Sequence, residues 1–331
     1  DERMQAVAIA TQLDYYYFQG TNEDSVIHYT NKVKEFAKAT HQPKYYYFAW
    51  ANRLITYYLK TSRTNIALYE VQNMLKEAQE EDDKTGLSRC YNIMSQIYTI
   101  KRFDSMAFEW RLKEIELTEK YKIENYNISQ TYAQIANYYI NQKKQKEALA
   151  AVEKAIATAN SSTQQISAKL EFVNYYSKFG DFQAAEKLLK ECQAAFEQDK
   201  RLESIKKRLY NIECLYYQQT KQYQKALEAA KMQEKEERRL SESILSSIHY
   251  RTQGEIYQKM GNMNLAVKYL QMYINTDDSL KIANEQVSSS EFATLLNVEK
   301  LNAEKKELML QAQEKELHNK TTLIISLIIL L

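Results

Sequence analysis

A tyrosine followed nine residues later by an alanine recurs along this sequence at a nearly constant interval. Successive alanines are 40, 41, 37, 41 and 40 residues apart, and Tyr16 with Ser25 keeps the same nine-residue gap upstream. Because six such pairs at this interval are not expected by chance, the pattern predicts a repeat array. The pairs are Tyr58–Ala67, Tyr98–Ala107, Tyr139–Ala148, Tyr176–Ala185, Tyr217–Ala226 and Tyr257–Ala266.

The composition predicts that each repeat is helical. The 331 residues include one proline and five glycines, which are too few for the turns of a protein built from many strands. The tyrosine falls late in one helical stretch, a short polar turn follows, and the alanine falls early in the next stretch. A small alanine lets the two helices approach closely while the tyrosine ring fills the space beside it. A second close contact is predicted three residues before the tyrosine, where small residues recur: Ser95, Ala136, Cys214 and Gly254.

In this pattern the chain resembles the tetratricopeptide repeat (TPR) family. The best-matching stretch carries the motif at Tyr132, Ile135, Ala136, Tyr139, Ala148, Val152 and Ala155. The resemblance covers residues 1–287 and implies an all-α fold, a right-handed α-solenoid of about seven helical hairpins whose first helices line a concave groove. The interval near 40 residues exceeds the family's repeat of about 34 residues, so we expect longer helices here.

The resemblance implies that the groove binds a peptide or a protein segment. Side-chain amides both donate and accept hydrogen bonds, which suits an extended peptide backbone of varied sequence. The alternative is that these positions are ordinary solvated helix residues. Counted from the motif tyrosine, the expected groove positions are rich in amides with a few arginines: Arg89, Asn92, Gln96, Gln130, Asn137, Asn174, Arg208, Asn211, Gln218, Arg251 and Glu255.

Two aromatic clusters near the N-terminus suggest a ligand cage or a base-stacking platform. They span Tyr15–Phe18 and Tyr45–Trp50. Three consecutive helical residues cover almost a full turn, so these rings cannot all face one side. We therefore expect some of the rings to lie in the repeat core and the rest to form an exposed aromatic surface that marks a partner site.

The sequence contains no recognisable catalytic motif. The four histidines are isolated, and HExxH, GxGxxG, GxxxxGK[ST] and GxSxG are all absent. Cys90, Cys192 and Cys214 lie far apart in helical stretches, which favours buried apolar side chains over a zinc site or a disulfide framework. A net charge of +2 provides no overall field that favours nucleic acid. We therefore predict no catalysis by this chain, no cofactor, no metal site and no nucleic-acid binding.

The C-terminal region departs from the repeat pattern. Residues 288–320 carry interleaved charges at i,i+4 spacing and predict a long charged helix, coiled-coil-like over 290–320 and able to form a homodimer. Residues 321–331 are apolar apart from Thr321, Thr322 and Ser326. Eleven residues give about 16 Å of helix, against about 30 Å of bilayer core. The interpretation as the start of a transmembrane helix is favoured over a short docking helix, because the run is apolar all round.

The order of array, charged helix and apolar run resembles that of Bacteroidetes-type membrane regulators. These carry TPR repeats outside the inner membrane and a histidine kinase or a helix-turn-helix output domain inside it. The resemblance implies a periplasmic, membrane-anchored sensor, most simply in a two-component system. In this hypothesis ligand binding in the groove is passed to the membrane through the 290–320 helix. The alternative is a TPR scaffold or adaptor for protein–protein interaction without signalling output.

Overall fold

The computed structural model describes residues 2–20, 22–240 and 246–278, together with residues 288, 291, 307, 309–311 and 313–315. All regular secondary structure within these residues is helical. The predictions made for residues 288–320 fall mostly outside the described residues, and those for residues 321–331 fall entirely outside them. The charged helix and the start of a transmembrane helix therefore remain predictions.

The described helices pair into seven successive hairpins, as the repeat pattern predicts. In the second hairpin, the first helix runs through a π-helical segment (Trp50–Ile55) between α3 and α4. A 3₁₀ helix (Lys200–Ile205) leads into the sixth. The helices are α1 (Glu2–Gln19), α2 (Glu23–Ala39), α3 (Pro43–Ala49), α4 (Thr56–Lys60), α5 (Thr64–Glu80), α6 (Lys84–Ile100), α7 (Asp104–Tyr121), α8 (Ile128–Asn141), α9 (Gln145–Ala157), α10 (Ser162–Phe179), α11 (Phe182–Gln198), α12 (Lys206–Gln219), α13 (Tyr223–Leu240), α14 (Ser246–Lys259) and α15 (263–278).

The turn inside each hairpin explains the nine-residue spacing. The motif tyrosine's carbonyl accepts a hydrogen bond from the amide five residues later, as from Lys144 to Tyr139 at 2.9 Å and from Gln222 to Tyr217 at 2.8 Å. This i+5 to i bond is the Schellman motif that ends a helix. The residue that donates this amide is also the N-cap of the next helix, because its carbonyl accepts a hydrogen bond from the amide of the alanine four residues later. Lys144 accepts from Ala148 in this way. The five residues from the tyrosine to the N-cap and the four from the N-cap to the alanine add up to the nine-residue interval.

The residue four positions after the tyrosine has a left-handed backbone in each of these turns. Gly20, Gly180 and Gly261 occupy it in three hairpins, with φ of 68°, 91° and 77°. In the other four the position holds Ser62, Arg102, Lys143 and Lys221, with φ between 58° and 61°. A left-handed conformation costs an L-residue roughly 1–2 kcal/mol, so the hairpin turn is maintained there against a local backbone preference.

Close packing across each hairpin confirms the roles predicted for the small residues. All six repeat alanines are buried, with at most 3% of their surface exposed. Ser95, Ala136 and Cys214 are buried as well. A Cβ atom added to Gly254 would lie only 2.9 Å from Cγ of Leu270, which is closer than packed carbon atoms approach.

Neighbouring hairpins share their cores. Tyr175 of α10 packs into the cluster formed by the third and fourth hairpins, whereas Leu170 and Val173 of the same helix pack with α11 and α12. Each hairpin therefore buries its apolar surface against the next one, as in a solenoid. Helices of 17 and 18 residues, such as α11 and α10, account for the long repeat.

The strained turn residues predict a stabilising substitution. Lys143→Gly should raise the free energy of unfolding by about 0.5–1 kcal/mol, because glycine adopts the left-handed conformation without a steric cost. Gly180→Ala is the matched control, because a Cβ atom there meets no other atom within 4 Å. A decrease of about 1 kcal/mol in its free energy of unfolding would therefore come from the backbone conformation alone. Urea unfolding followed by circular dichroism measures both. A destabilised Lys143→Gly variant would contradict this account of the turn.

Candidate functional site

Two connected recesses lie along the side of the array formed by the first helices of the hairpins. The N-terminal recess, of about 740 Å³, is lined from α3, the π-helical segment, α4, α6, α7 and the loop 122–127, with Asn160 at its edge. The central recess, of about 530 Å³, is lined mainly from α8, α10, the 3₁₀ helix and α12. Tyr126 and Asn127 line both recesses, so the two recesses form one continuous polar surface.

Hydrogen bonds order the wall of the N-terminal recess. Arg89 Nη1 donates to Asn52 Oδ1 at 3.0 Å, joining α6 to the π-helical segment. Asn92 Nδ2 lies 3.1 Å from both carboxylate oxygens of Glu114, and its Oδ1 accepts from Gln96 Nε2 at 2.7 Å. Asn92 and Gln96 therefore form a network that is fixed by the Glu114 carboxylate on α7, while Arg89 is bound separately to the π-helical segment.

Glu114 is a site residue that the sequence pattern did not indicate. Only 1% of its surface is exposed, and Asn125 Nδ2 also donates to it at 2.9 Å. Burial raises the pKa of Glu114, while hydrogen bonds from Asn92, Asn125 and Thr131 and the charge of Arg111 act in the opposite direction. The carboxylate thus holds both the amide wall of α6 and the loop 122–127.

The loop 122–127 places an aromatic ring where the two recesses meet. Lys122 adopts a left-handed conformation with φ of 50° as α7 ends. Asn125 is bound to Glu114, and the Tyr126 carbonyl accepts from Gln164 Nε2 at 2.8 Å. The Tyr126 side chain is 64% exposed. The loop is therefore held at Asn125 and Tyr126, and it presents an exposed tyrosine side chain where the two recesses meet.

The central recess has a polar lining with two basic residues. Among the residues that the structure describes, this lining includes Lys207 and Arg208 and no carboxylate side chain. Arg208 Nη2 forms an ion pair with Glu171, a buried residue of α10 that lies behind the surface. The other lining side chains are mostly amides and hydroxyls: Asn127, Ser129, Gln130, Thr163, Gln164, Ser167, Ser204, Asn211 and Gln233.

The arginine in each recess has an unsatisfied group. The Nε atoms of Arg89 and Arg208 are buried and have no hydrogen-bond partner within the described part of the chain. Burial also lowers the pKa of Arg89. A buried donor without an acceptor costs free energy, so each of these arginines is held in place at an energetic cost.

The structure brings six of the predicted groove residues to the recesses. Arg89, Asn92 and Gln96 line the N-terminal recess, and Gln130, Arg208 and Asn211 line the central one. The other five lie outside both recesses and have partners of their own. Asn137 accepts from Asn141, Asn174 donates to Glu171, Gln218 accepts from Lys259, and Arg251 pairs with Glu255.

The aromatic clusters divide between core and surface, as expected from their spacing. Tyr17, Tyr46, Tyr47 and Trp50 are buried, whereas Tyr15, Phe18 and Tyr45 are exposed. Lys34 Nζ lies 3.2 Å from the centre of the Trp50 ring, and burial lowers the pKa of this lysine to about 8. These rings belong mainly to the core of the first hairpins and not to a single cage.

The three cysteines are buried, and burial raises the pKa of the Cys90 thiol to about 12 and that of Cys192 to about 11. Within the described ranges, no three histidine, cysteine, aspartate or glutamate side chains converge in a way that could hold a metal ion. Among the helices of those ranges, none is both long and apolar enough to span a bilayer.

Comparison with known proteins identifies the fold. No protein-family model and no curated protein sequence matches this chain. Among solved structures, NprR in complex with its cognate peptide NprX is similar at a TM-score of 0.58 and 13% identity, over 87% of this chain and 82% of that one. The apo form of the quorum sensor NprR from B. thuringiensis has a TM-score of 0.54 at 15% identity, over 81% and 77% of the two chains.

A third solved structure agrees with the first two. The apo form of RapI has a TM-score of 0.54 at 15% identity, over 81% of this chain and 98% of its own. At such low identity these likenesses establish the fold and nothing further. Together with the seven hairpins they confirm the predicted class, an all-α solenoid of TPR-like helical hairpins.

The buried carboxylate predicts a specific pH dependence. An unfolded glutamate titrates near pH 4.3, and the pKa of Glu114 is raised in the folded chain, so the folded state takes up the proton first as the pH falls. Relative to Glu114→Gln, the wild-type chain should therefore gain unfolding free energy as the pH falls from about 7 towards the pKa of an unfolded glutamate. Urea unfolding of both proteins across this range measures the difference.

The control for this experiment is Glu116→Gln, which changes an exposed glutamate of the same helix. Its stability difference from the wild type should vary less with pH than that of Glu114→Gln. A difference between wild type and Glu114→Gln that stays constant with pH would contradict the assignment of Glu114 as a buried titrating group.

Proposed function

We propose that this chain is a non-catalytic binding protein that holds an extended peptide or protein segment along the two connected recesses. The observation that carries the proposal is the lining of these recesses, in which amides and hydroxyls predominate and run continuously from Asn52 to Asn211. Such groups can both donate to and accept from each peptide unit of an extended backbone. Tyr126, at the junction, is placed to pack against a side chain of the bound segment.

The recess chemistry favours a peptide over other ligand classes. Small-molecule sites are concave and mostly apolar with few polar groups, whereas here polar side chains form most of the lining. Nucleic-acid surfaces need clustered positive charge, and this chain has a net charge of only +2. Of the three structural neighbours, one is described as a complex with its cognate peptide, which is consistent with the same use of the fold here.

The finer proposal concerns the context of the binding site. We infer a sensor region of a membrane-anchored bacterial regulator, with the repeats in the periplasm and a histidine kinase or helix-turn-helix output domain. The order of segments in the sequence supports it, since the helical array precedes a charged stretch and then the apolar residues 323–331. A scaffold or adaptor without signalling output shares the same peptide-binding surface.

Selection from a random peptide library tests the peptide-binding proposal. Peptides displayed on phage are selected on the purified chain, and their affinity is then measured by fluorescence anisotropy. Asn52→Ala, Gln130→Ala and Asn211→Ala each remove an exposed amide from a recess wall. Each should weaken binding about fivefold, the effect of losing a hydrogen bond of roughly 1 kcal/mol.

The matched control is Gln183→Ala, which removes an exposed amide of α11 that lines neither recess. Binding to this variant should equal binding to the wild type. The proposal fails if selection yields no peptide with saturable affinity, or if the recess variants bind selected peptides as tightly as the Gln183→Ala variant does.

A further inference from the structure

Helix α5 begins without a capping side chain of its own. Its N-cap residue, Arg63, makes no side-chain hydrogen bond to the first turn. The amides of Asn65 and Ile66 instead face the carboxylate of Glu291, at 3.2 Å and 3.4 Å from Oε1. Helix N-terminal amides have no partner within the helix, and a carboxylate at this position also interacts favourably with the helix dipole.

The side chain of Asn65 strengthens the same contact. Its Nδ2 donates to Glu291 Oε2 at 2.7 Å and lies 3.1 Å from Ser288 Oγ. Its Oδ1 accepts from Lys101 Nζ at 2.7 Å. The donor and acceptor sides of this amide are therefore both engaged, which fixes its orientation. Glu291 is only 3% exposed, so this carboxylate is buried against the start of α5.

A second contact joins the same parts of the chain. Asp277, near the end of the described part of α15, forms an ion pair with Arg102 at 3.5 Å. Arg102 belongs to the turn between α6 and α7, next to Lys101. The end of the seventh hairpin, at Asp277, and a residue that follows it, Glu291, thus contact the turns of the third and second hairpins.

We propose that Glu291 is the capping residue of α5, supplied from 226 residues further along the chain, and that this contact is a latch between the C-terminal region and the second hairpin. A capping side chain changes an equilibrium constant by roughly 2- to 30-fold. A contact of this strength is weak beside the packing of the hairpins, so the proposed latch would open more easily than the hairpins unfold. It gives the region around residue 291 a direct mechanical link to α5.

The position of α5 gives the latch its significance. This helix follows α4 and the π-helical segment, which contribute Asn52 and Thr56 to the N-terminal recess. A movement of that wall therefore reaches the latched end of α5 through a short connection. The contacts alone support the latch, whereas a role for the latch in sensing depends on the proposed peptide binding.

Amide hydrogen exchange followed by NMR tests the latch in the full chain without a ligand. The corresponding first-turn amides of α7, at Ser105 and Met106, provide the internal comparison, since the N-cap Phe103 also makes no side-chain cap. Asn65 and Ile66 should exchange about fivefold more slowly than this pair. Glu291→Ala should remove that protection, and Glu307→Ala, which changes an exposed glutamate, should leave it intact.

Chemical cross-linking provides a second readout that does not depend on the Glu291→Ala variant. A short bis-maleimide should join Cys residues in Asn65→Cys/Ser288→Cys and should not join them in Asn73→Cys/Ser288→Cys. The buried native cysteines do not compete, because thiols of raised pKa react slowly. Unprotected amides at Asn65 and Ile66, or equal cross-linking in both pairs, would overturn the latch. Neither result would affect the peptide-binding proposal.

Discussion

The rest of this structure depends on one recurring hydrogen bond. In successive hairpins, the N-cap amide of the second helix donates to the carbonyl of the motif tyrosine in the first helix. It ends the first helix of a hairpin and begins the second within five residues, so the two helices meet at a fixed angle. The alanine then falls at the point of closest approach. Because the same turn recurs in successive hairpins, all first helices come to one side of the array and supply most of the lining of the recesses.

The sequence predicts the fold well because the repeat depends on local spacing. A tyrosine, a turn and an alanine at constant intervals define a helical hairpin before any long-range contact is considered. The left-handed turn residues are a different case. Gly180 indicates such a position, but Arg102, Lys143 and Lys221 give no signal, because the Schellman hydrogen bonds and the packed hairpin impose that conformation on ordinary side chains.

The sequence predicts the site only in part, because the repeat pattern describes local spacing and several contacts of the site are long-range. Counting from the tyrosine selects Arg89 and Asn211, which line the recesses, since it follows the helical period. It does not find Glu114 or Tyr126, whose roles arise from hydrogen bonds that join the loop 122–127 to α7 and α10. It also does not find Glu291, since a contact across 226 residues leaves no trace in a local pattern. If the recesses bind a peptide and binding moves α5, thermodynamic linkage requires that the latch and the peptide affect one another equally.

Hydrogen–deuterium exchange by mass spectrometry, with and without a library-selected peptide, tests the central claim most directly. The claim is that the surface formed by the first helices holds an extended segment. The account predicts slower exchange in the π-helical segment, α6, α8, the loop 122–127 and α12 when the peptide is bound. Slower exchange confined to the second helices of the hairpins, or no change at saturating peptide, would contradict it.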